Sequence, residues 1–291
     1  MGNATDYAGF FINLDHNTHR RAETETELAR HNLTSRYQRF AAAEGNALNA
    51  PNPHNLSDGV LGCFTSHYLL LKQNLDAGKH LHVIEDEVLF ASCAERVISW
   101  VIASGFLDSF DIVFTDISVP LRNEVYKMYK TAYDKAVARD ASGKIISVNF
   151  DVLNVCNRPY ASTSSFLVNK RSIGKLCGIL ESELMRGTGN PIDLIIRDKN
   201  RQGALRVGCI FPFVTSVRLD NSFASTIDPR PDREPELAVD IARQLFFIES
   251  DWSQCQAYLD RYAPKPQTED KLSSMLGQLL TYSLSDKYRF F

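Results

Sequence analysis

The chain has 291 residues, of which 44% are hydrophobic and 23% are charged, and its formal net charge is -3. These values are ordinary for a globular protein, and they exclude a nucleic-acid binder that depends on bulk positive charge. No apolar run approaches the roughly 20 residues that a membrane-spanning helix needs, and the first residues lack a basic region followed by an apolar core. We therefore expect a cytoplasmic protein, or one peripheral to the membrane, with six reduced cysteines.

Short apolar runs alternate with longer segments of helical periodicity along most of the chain. The runs predict strands at 8–14, 37–42, 81–84, 110–115, 163–168 and 205–214, with a further strand or hairpin at 144–155. Helices are predicted at 18–32, 62–77, 93–104 and 170–185. This alternation predicts an α/β domain with a mostly parallel central sheet.

The chain changes character after the proline- and charge-rich segment 228–236, which is typical of a linker. We therefore predict a catalytic domain at 1–227 and a helical extension at 237–291. We expect the aromatic residues of the extension to pack on the main domain or on a second copy of the chain, which makes a homo-oligomer possible. They are Phe246, Phe247, Trp252, Tyr258, Tyr262 and Tyr282.

Three consecutive acidic residues, Glu85, Asp86 and Glu87, follow the apolar run 81–84. Adjacent carboxylates are costly at the end of a buried strand unless a positive group offsets them. A divalent cation bound to a phosphate would do so, because hard cations prefer oxygen ligands; the alternative is a solvated turn. Asp15 and Asp116 also follow predicted strands, and ligands of α/β sheets bind at the carboxyl ends of strands. The pattern therefore predicts a metal–phosphate site.

Several motifs resemble glycosyltransferase family 25, the lipopolysaccharide-type galactosyltransferases related to collagen galactosyltransferases. The residues that carry the resemblance are FINLD at 11–15 with RR at 20–21, FAAAEG at 40–45, GCFTSH at 62–67, IEDEV at 84–88, FDIV at 110–113 and PID at 191–193. The match covers roughly residues 8–215 and is strongest from 11 to 90.

The resemblance implies a GT-A-like nucleotide-binding fold, a UDP-sugar donor, a glycan acceptor, a divalent cation (Mn²⁺ or Mg²⁺) and inversion at the anomeric carbon. It also implies transfer of a hexose, most directly galactose, in the synthesis of lipopolysaccharide or another glycoconjugate. No nucleic-acid partner is expected.

The acids at the strand end fit the charge that develops on the leaving diphosphate. Because alternate residues of a strand face the same way, Glu85 and Glu87 are expected to point together into the cleft as metal ligands. Glu85 or Asp86 would then contact the ribose or a metal-bound water. The family more often has aspartate at the third position, so Glu87 is a departure that bears on metal binding.

A carboxylate is expected to act as the general base that removes the proton of the acceptor hydroxyl. Asp193 is the first candidate and Asp116 is the second. The alternative role for Asp193 is to cap a helix after Pro191.

The remaining candidates would bind the donor. They are Asn13, Asp15, Arg20, Arg21, Ser66 and His67. For His67 the alternative is a structural histidine packed under the sheet, and for Arg20 and Arg21 it is a solvated helix face. Cys63 is interpreted as a small buried residue rather than a nucleophile.

Two other functions are compatible with the sequence. One is a non-catalytic relative that binds a nucleotide sugar or a glycan, which the Glu87 departure allows. The other is a metal-dependent phosphate hydrolase, which the carboxylates permit but the ordered motifs do not favour.

Overall fold

A seven-stranded sheet forms the centre of the computed structural model, which describes residues 6–119, 124–125, 127–128, 137–139, 145–219, 239, 241, 243–251 and 253–257. The strand order is β2-β1-β3-β9-β5-β10-β8. These strands are β1 (Tyr7–Asn13), β2 (Tyr37–Ala41), β3 (His80–Glu85), β5 (Ile112–Phe114), β8 (Asp151–Asn154), β9 (Ser165–Val168) and β10 (Val207–Phe211). Strands β8 and β9 run against the other five. The predicted α/β class with a mostly parallel sheet is confirmed.

Two short strand pairs accompany the main sheet. Strand β4 (Val88–Phe90) pairs with β11 (Thr215–Val217), and β6 (Val137–Arg139) pairs with β7 (Ile145–Val148). The run predicted as a final strand at 205–214 contains β10, and β11 begins just beyond its end.

Helices cover both faces of the sheet. They are α1 (Thr18–Arg30), α2 (Asp58–Gln73), α3 (Ala94–Ala103), α4 (Ile173–Arg186) and α5 (Ile192–Arg201). One apolar core contains side chains of α2, α4 and α5, and a second contains side chains of α1 and α3. Strand β3 supplies Leu81 and Val83 to the first core and Ile84 to the second, as its alternating side chains require.

Helix α2 begins four residues earlier than its sequence pattern predicts. Ser57 lies in extended conformation, and its hydroxyl accepts a hydrogen bond from the Val60 N–H group at 3.3 Å. This N-cap starts the helix at Asp58, inside the segment predicted as a loop. Helix α5 was predicted only through the alternative in which Asp193 caps a helix after Pro191, and the N-cap position is taken by Pro191 itself.

The antiparallel strand β9 determines what lies at the site edge of the sheet. The carboxyl ends of β1, β2, β3, β5 and β10 meet at this edge, and β9 begins there because it runs the other way. The residues just before β9 therefore sit between the ends of β3 and β5.

The chain divides into two compact units, 1–250 and 251–291. Phe246 and Phe247 of the predicted extension pack in the cores of the first unit, and Phe246 contacts the rings of Phe211 and Phe213. Most of the remaining predicted extension, including Trp252, lies outside the described residues. None of the described helices is long and apolar enough to cross a membrane.

Candidate functional site

The three acids sit where strand β3 ends and turns back. Glu85 is the last residue of β3, and Asp86 and Glu87 form the two-residue turn into β4. The turn is closed on the other side by Arg218, whose N–H donates to the Glu87 carbonyl at 2.9 Å. The strand thus delivers three carboxylates to the edge of the sheet.

Glu85 faces helix α2 and the segment before β9. Its Oε1 atom lies 3.3 Å from His67 Nε2 and accepts a hydrogen bond from Thr163 Oγ1 at 3.1 Å. The Cys63 thiol lies 3.9 Å from the same oxygen. Burial alone would raise the pKa of Glu85, but the hydrogen bonds and charges of His67, Thr163 and Arg20 outweigh it and hold the pKa below its ordinary value.

Asp86 points toward the opposite side, against β1 and α1. It is 7% exposed, accepts a hydrogen bond from Asn13 Nδ2 at 2.7 Å, and lies 3.2 Å from Arg20 Nη1. Its backbone carbonyl accepts from the Thr24 hydroxyl at 2.9 Å. Burial raises the pKa of Asp86 although Arg20 and Asn13 oppose this effect.

Glu87 shares Arg20 with Asp86. The guanidinium group donates to Glu87 through Nη2 while its Nη1 faces Asp86. Burial raises the pKa of Glu87 to about 7, with Arg20 opposing and Glu85 and Asp86 adding to the rise. Because one guanidinium group faces two carboxylates, the end of β3 has more negative than positive charge at this point.

The pairing of the acids differs from the predicted one. We expected Glu85 and Glu87 to face the same way, but Asp86 and Glu87 share a partner and Glu85 has its own. The alternation of a strand does not continue through a turn, and β3 ends at Glu85.

Asn13 connects the acids to a further cation that the sequence analysis missed. Its Oδ1 accepts from Arg39 Nε at 3.0 Å. Arg39 also reaches the exposed carboxylate of Asp15 at 2.6 Å. Asp15 thus lies at the rim, at the end of β1, and Asn13 lies inside.

Asp116 follows β5 and is fully buried. Its Oδ2 atom pairs with the guanidinium group of Arg243, and its Oδ1 accepts from the hydroxyls of Ser164 at 3.3 Å and Thr215 at 3.2 Å. Because the carboxylate is fully buried and paired with Arg243, Asp116 offers no surface to an acceptor in this arrangement.

Asp193 lies in the first turn of α5 and is half-buried. Its Oδ2 accepts from the Ser162 N–H group at 2.9 Å, and its Oδ1 accepts from the Leu194 N–H group at 2.9 Å. The residue at the N-cap position is Pro191. The two backbone donors fix the direction of the carboxylate.

A three-residue segment, Ser162–Thr163–Ser164, contacts three carboxylates of the site that come from different elements. Ser162 donates to Asp193, Thr163 donates to Glu85, and Ser164 donates to Asp116. Ser162 has a φ of 81°, which is strained for a residue other than glycine. Residues 163–164 were predicted as part of a strand. The run of small hydroxyl residues before the apolar residues of β9 is the sequence feature that could have indicated a polar segment at the site.

Ser66 and Arg21 have other partners. The buried Ser66 hydroxyl donates to the Gly62 carbonyl at 2.6 Å and accepts from the Ala43 N–H group at 2.8 Å, so it joins α2 to the chain after β2. Arg21 pairs with Glu25 at 2.8 Å on the exposed side of α1. The structure does not bring either side chain to the acids.

Two donor sets at this edge could hold a cation. The surplus negative charge around Glu87 fits a divalent cation held by carboxylate oxygens. In addition, Cys63, His67 and Glu85 place their ligand atoms within 4.8 Å of one another. Both sets include or adjoin the end of β3.

The sequence matches the model of one protein family, described as glycosyltransferase family 25 (LPS biosynthesis protein), over residues 7–195. This range is more than half of the chain, and it contains the three acids of β3, Asp116 and Asp193. Arg243, Thr215 and Arg218 lie beyond it. No curated protein matches the chain.

Proposed function

The chain belongs to glycosyltransferase family 25, and on this premise we propose that it transfers a hexose from a UDP-sugar to a hydroxyl group of a glycan acceptor. We further propose galactose as the sugar, inversion at the anomeric carbon, assistance by Mn²⁺ or Mg²⁺, and a role in the synthesis of lipopolysaccharide or another surface glycoconjugate. The observation that carries the proposal is that Ser162 and Thr163 bring Asp193 of α5 and Glu85, the first of the three acids at the end of β3, to one segment of the chain.

The end of β3 would hold the diphosphate side of the donor. Glu85 and Glu87 are the proposed oxygen ligands of the cation, which would offset the charge of the leaving diphosphate when bound. Arg20 lies between Asp86 and Glu87 and is the protein cation that we assign to that charge. Asn13 and Asp86 hold each other in place and would position the ribose, with Asp15 at the rim.

Asp193 would act as the general base. Single displacement with inversion needs one base, on the side of the sugar opposite the diphosphate. Asp193 comes from α5, whereas the acids come from β3, and the segment 162–164 separates the two. Its carboxylate is held by two backbone N–H groups, so its free lone pairs can accept the proton of the acceptor hydroxyl.

The second candidate function is a non-catalytic relative that binds a nucleotide sugar. One observation favours it: Arg20 already contacts both Asp86 and Glu87, so these two carboxylates have a cation without any metal. In such a protein the donor would bind without turnover.

Release of UDP from a panel of UDP-hexoses, with and without Mn²⁺ or Mg²⁺, tests the proposal. We expect release from UDP-galactose that depends on the divalent cation and rises with a glycan acceptor, and NMR of the product should show the inverted anomer. Donor binding in a thermal-shift assay without any UDP release would instead support the binding protein. A product with retained configuration would contradict single displacement.

A further inference from the structure

A thiol, an imidazole and a carboxylate meet beside the end of β3. Cys63 and His67 are four residues apart on α2 and therefore share one face of the helix. That face is turned toward Glu85, because both side chains lie against the same oxygen, Glu85 Oε1. The three ligand atoms all lie within 4.8 Å of one another.

The distances are close to those around a tetrahedral metal ion. With the usual bond lengths to nitrogen, oxygen and sulfur, a tetrahedral zinc ion separates nitrogen and oxygen ligands by roughly 3.4 Å and sulfur and oxygen ligands by roughly 3.6 Å. Here His67 Nε2 and Glu85 Oε1 are 3.3 Å apart, and Cys63 Sγ and Glu85 Oε1 are 3.9 Å apart. A small rotation of the Cys63 side chain would close the remaining difference.

The hydrogen bonding of His67 differs from that of a purely structural histidine in the same sheet. His82 is buried and bonded at both ring nitrogens, to the Tyr37 hydroxyl and to Ser165 Oγ. His67 is also buried, at 1% exposure, but within the described part of the chain its Nδ1 has no hydrogen-bond partner. Among the described residues, the hydrogen bond of its ring is the one between Nε2 and Glu85.

The surroundings favour a cation at this point and leave a path to it. Burial and, after it, the negative charges of Glu85, Asp193 and Glu87 raise the pKa of the Cys63 thiol, and the same negative charge attracts a cation. Cys63 and Glu85 are half-buried, so an ion can reach the cluster from the site edge. A set of one thiolate, one imidazole and one carboxylate suits zinc-class ions, whereas Mg²⁺ and Mn²⁺ prefer oxygen ligands only.

We propose that Cys63, His67 and Glu85 bind one divalent cation of the zinc class, with a fourth coordination position left for an oxygen ligand. The identity of that fourth ligand, an oxygen of the donor diphosphate, rests on the proposed function; the binding of the metal does not. Carboxylates alone would favour hard ions such as Mg²⁺. Cys63 and His67 add sulfur and nitrogen ligands, which favour an ion of the zinc class.

Cobalt(II) is a direct probe of this site, because a bound thiolate gives it a sulfur-to-metal charge-transfer absorption. The whole chain is freed of metal with a chelator and kept reduced by a reductant that is not itself a thiol. It is then titrated with Co²⁺ in the absence of any UDP-sugar. We expect one Co²⁺ per chain with that absorption, and displacement by one equivalent of Zn²⁺ but not by the same concentration of Mg²⁺.

Variants separate the cluster from other thiols. Cys63→Ser should abolish the charge-transfer absorption and weaken Co²⁺ binding by at least about 10–100-fold, the loss typical even of outer-shell partners. His67→Gln should weaken binding similarly. Cys156→Ser, at another half-buried cysteine whose thiol contacts the Asn200 carbonyl, should leave both readouts unchanged. Thermal unfolding of each variant in chelator checks that it folds.

Two results would overturn the inference. One is Co²⁺ binding without the charge-transfer absorption, and the other is a folded Cys63→Ser protein with unchanged affinity. Neither result would contradict the proposed transfer reaction, because that reaction is measured separately by UDP release. Conversely, a protein that binds Co²⁺ as expected but releases no UDP would retain this metal site and lose the proposed function.

Discussion

At the residue scale, Glu87 carries the least favourable charge of the candidate site. Burial and the neighbouring Glu85 and Asp86 raise its pKa to about 7, although Arg20 opposes them. Its ionised form is therefore held at a cost within the protein, and a bound cation would remove that cost. A residue of this kind is more readily explained by ligand binding than by stability.

Replacing Glu87 with alanine should abolish cation-dependent UDP release and change the free energy of unfolding by less than about 1 kcal/mol. Stability is spared because Arg20 keeps Asp86 as a partner. Steady-state turnover and urea denaturation measure the two effects. Glu25→Ala, on the exposed face of α1, is the matched control and should keep full activity. Normal turnover in Glu87→Ala would remove this side chain from the mechanism.

Asp193 differs from Glu87 because its carboxylate is held by backbone donors rather than by a cation. This arrangement fixes the direction of the carboxylate. Asp116, the other candidate base, is fully buried and pairs with the guanidinium group of Arg243, whereas Asp193 is half-buried and contacts only neutral N–H donors among the described residues. The geometry therefore favours Asp193 for proton transfer.

Asp193→Asn should lower turnover by about 10²–10⁴-fold, the usual contribution of a general base, while the donor affinity stays nearly unchanged. Asparagine keeps an acceptor oxygen for only one of the two backbone N–H groups, so thermal unfolding is measured as well, to check that the variant folds. Single-turnover kinetics and isothermal titration with a UDP-sugar separate the two effects. Asp198→Asn, on the same helix and paired with Arg201, is the control. Full transferase activity in Asp193→Asn would direct the search for the base to Asp116.

At the element scale, β9 shapes both the site and the interior of the sheet. Because β9 runs against β3 and β5, it brings the segment before Ser165 between their carboxyl ends. Ser165 itself bonds to His82 of β3 and to Thr115, the residue after β5. The segment before β9 thus contacts the carboxylates, and Ser165, the first residue of β9, forms a buried polar cluster with His82 and Thr115.

His82 should make the folded protein sensitive to acid. Burial lowers its pKa to about 3, whereas an unfolded chain has a histidine pKa near 6.5. Below pH 6.5 the unfolded chain binds a proton that the folded protein does not, so the stability from His82 is present above that pH and is lost as the pH falls toward 3. The free energy of unfolding should fall by up to about 1.4 kcal/mol per pH unit in this window.

His82→Gln tests the origin of this slope. The variant should be less stable at pH 7 by about 1–3 kcal/mol, because a buried hydrogen-bond partner is lost, but its stability should depend less on pH between 6.5 and 4.5. His16→Gln, at an exposed histidine paired with Glu44, should keep the wild-type slope. Equal slopes in the His82 variant and the wild type would assign the acid sensitivity to other groups.

At the scale of the whole molecule, Arg243 completes the site from outside the region that matches the family. It is 3% exposed, pairs with Asp116, and donates to Ser162 and Ser164 of the segment that holds Glu85 and Asp193. The last part of the first compact unit is thereby tied to the ends of β3 and β5. Phe246 and Phe247 pack beside it in the two cores.

Arg243→Ala should cost about 3–5 kcal/mol of unfolding free energy, because it leaves the charge of Asp116 buried and unpaired. Arg243→Lys should lose less, since it keeps the charge, but lysine lacks the planar group that reaches Asp116 and the two serines together. Denaturant unfolding measures both. Arg201→Ala, at an exposed pair, should change stability by less than about 0.5 kcal/mol. A loss that small in Arg243→Ala would show that the buried pair does not hold the first unit together.

The sequence by itself determined the α/β class, most strands and helices, the acidic end of β3 and the family. These features are local: periodicity is read over roughly 11–18 residues, and the motifs are shorter still. Helix α5 was foreseen only as an alternative role for Asp193 because it is short and follows directly on a proline, and the start of α2 was misplaced because Ser57 caps it within a polar stretch of sequence.

Only the tertiary structure decided which residues share the site. Arg20 meets Glu87 across 67 positions of the chain, and Arg243 meets Asp116 across 127. The segment 162–164 reaches the carboxylates because β9 is inserted antiparallel between β3 and β5. Such contacts depend on strand order and direction, which are set by the packing of the whole sheet and leave no periodic pattern near the residues concerned.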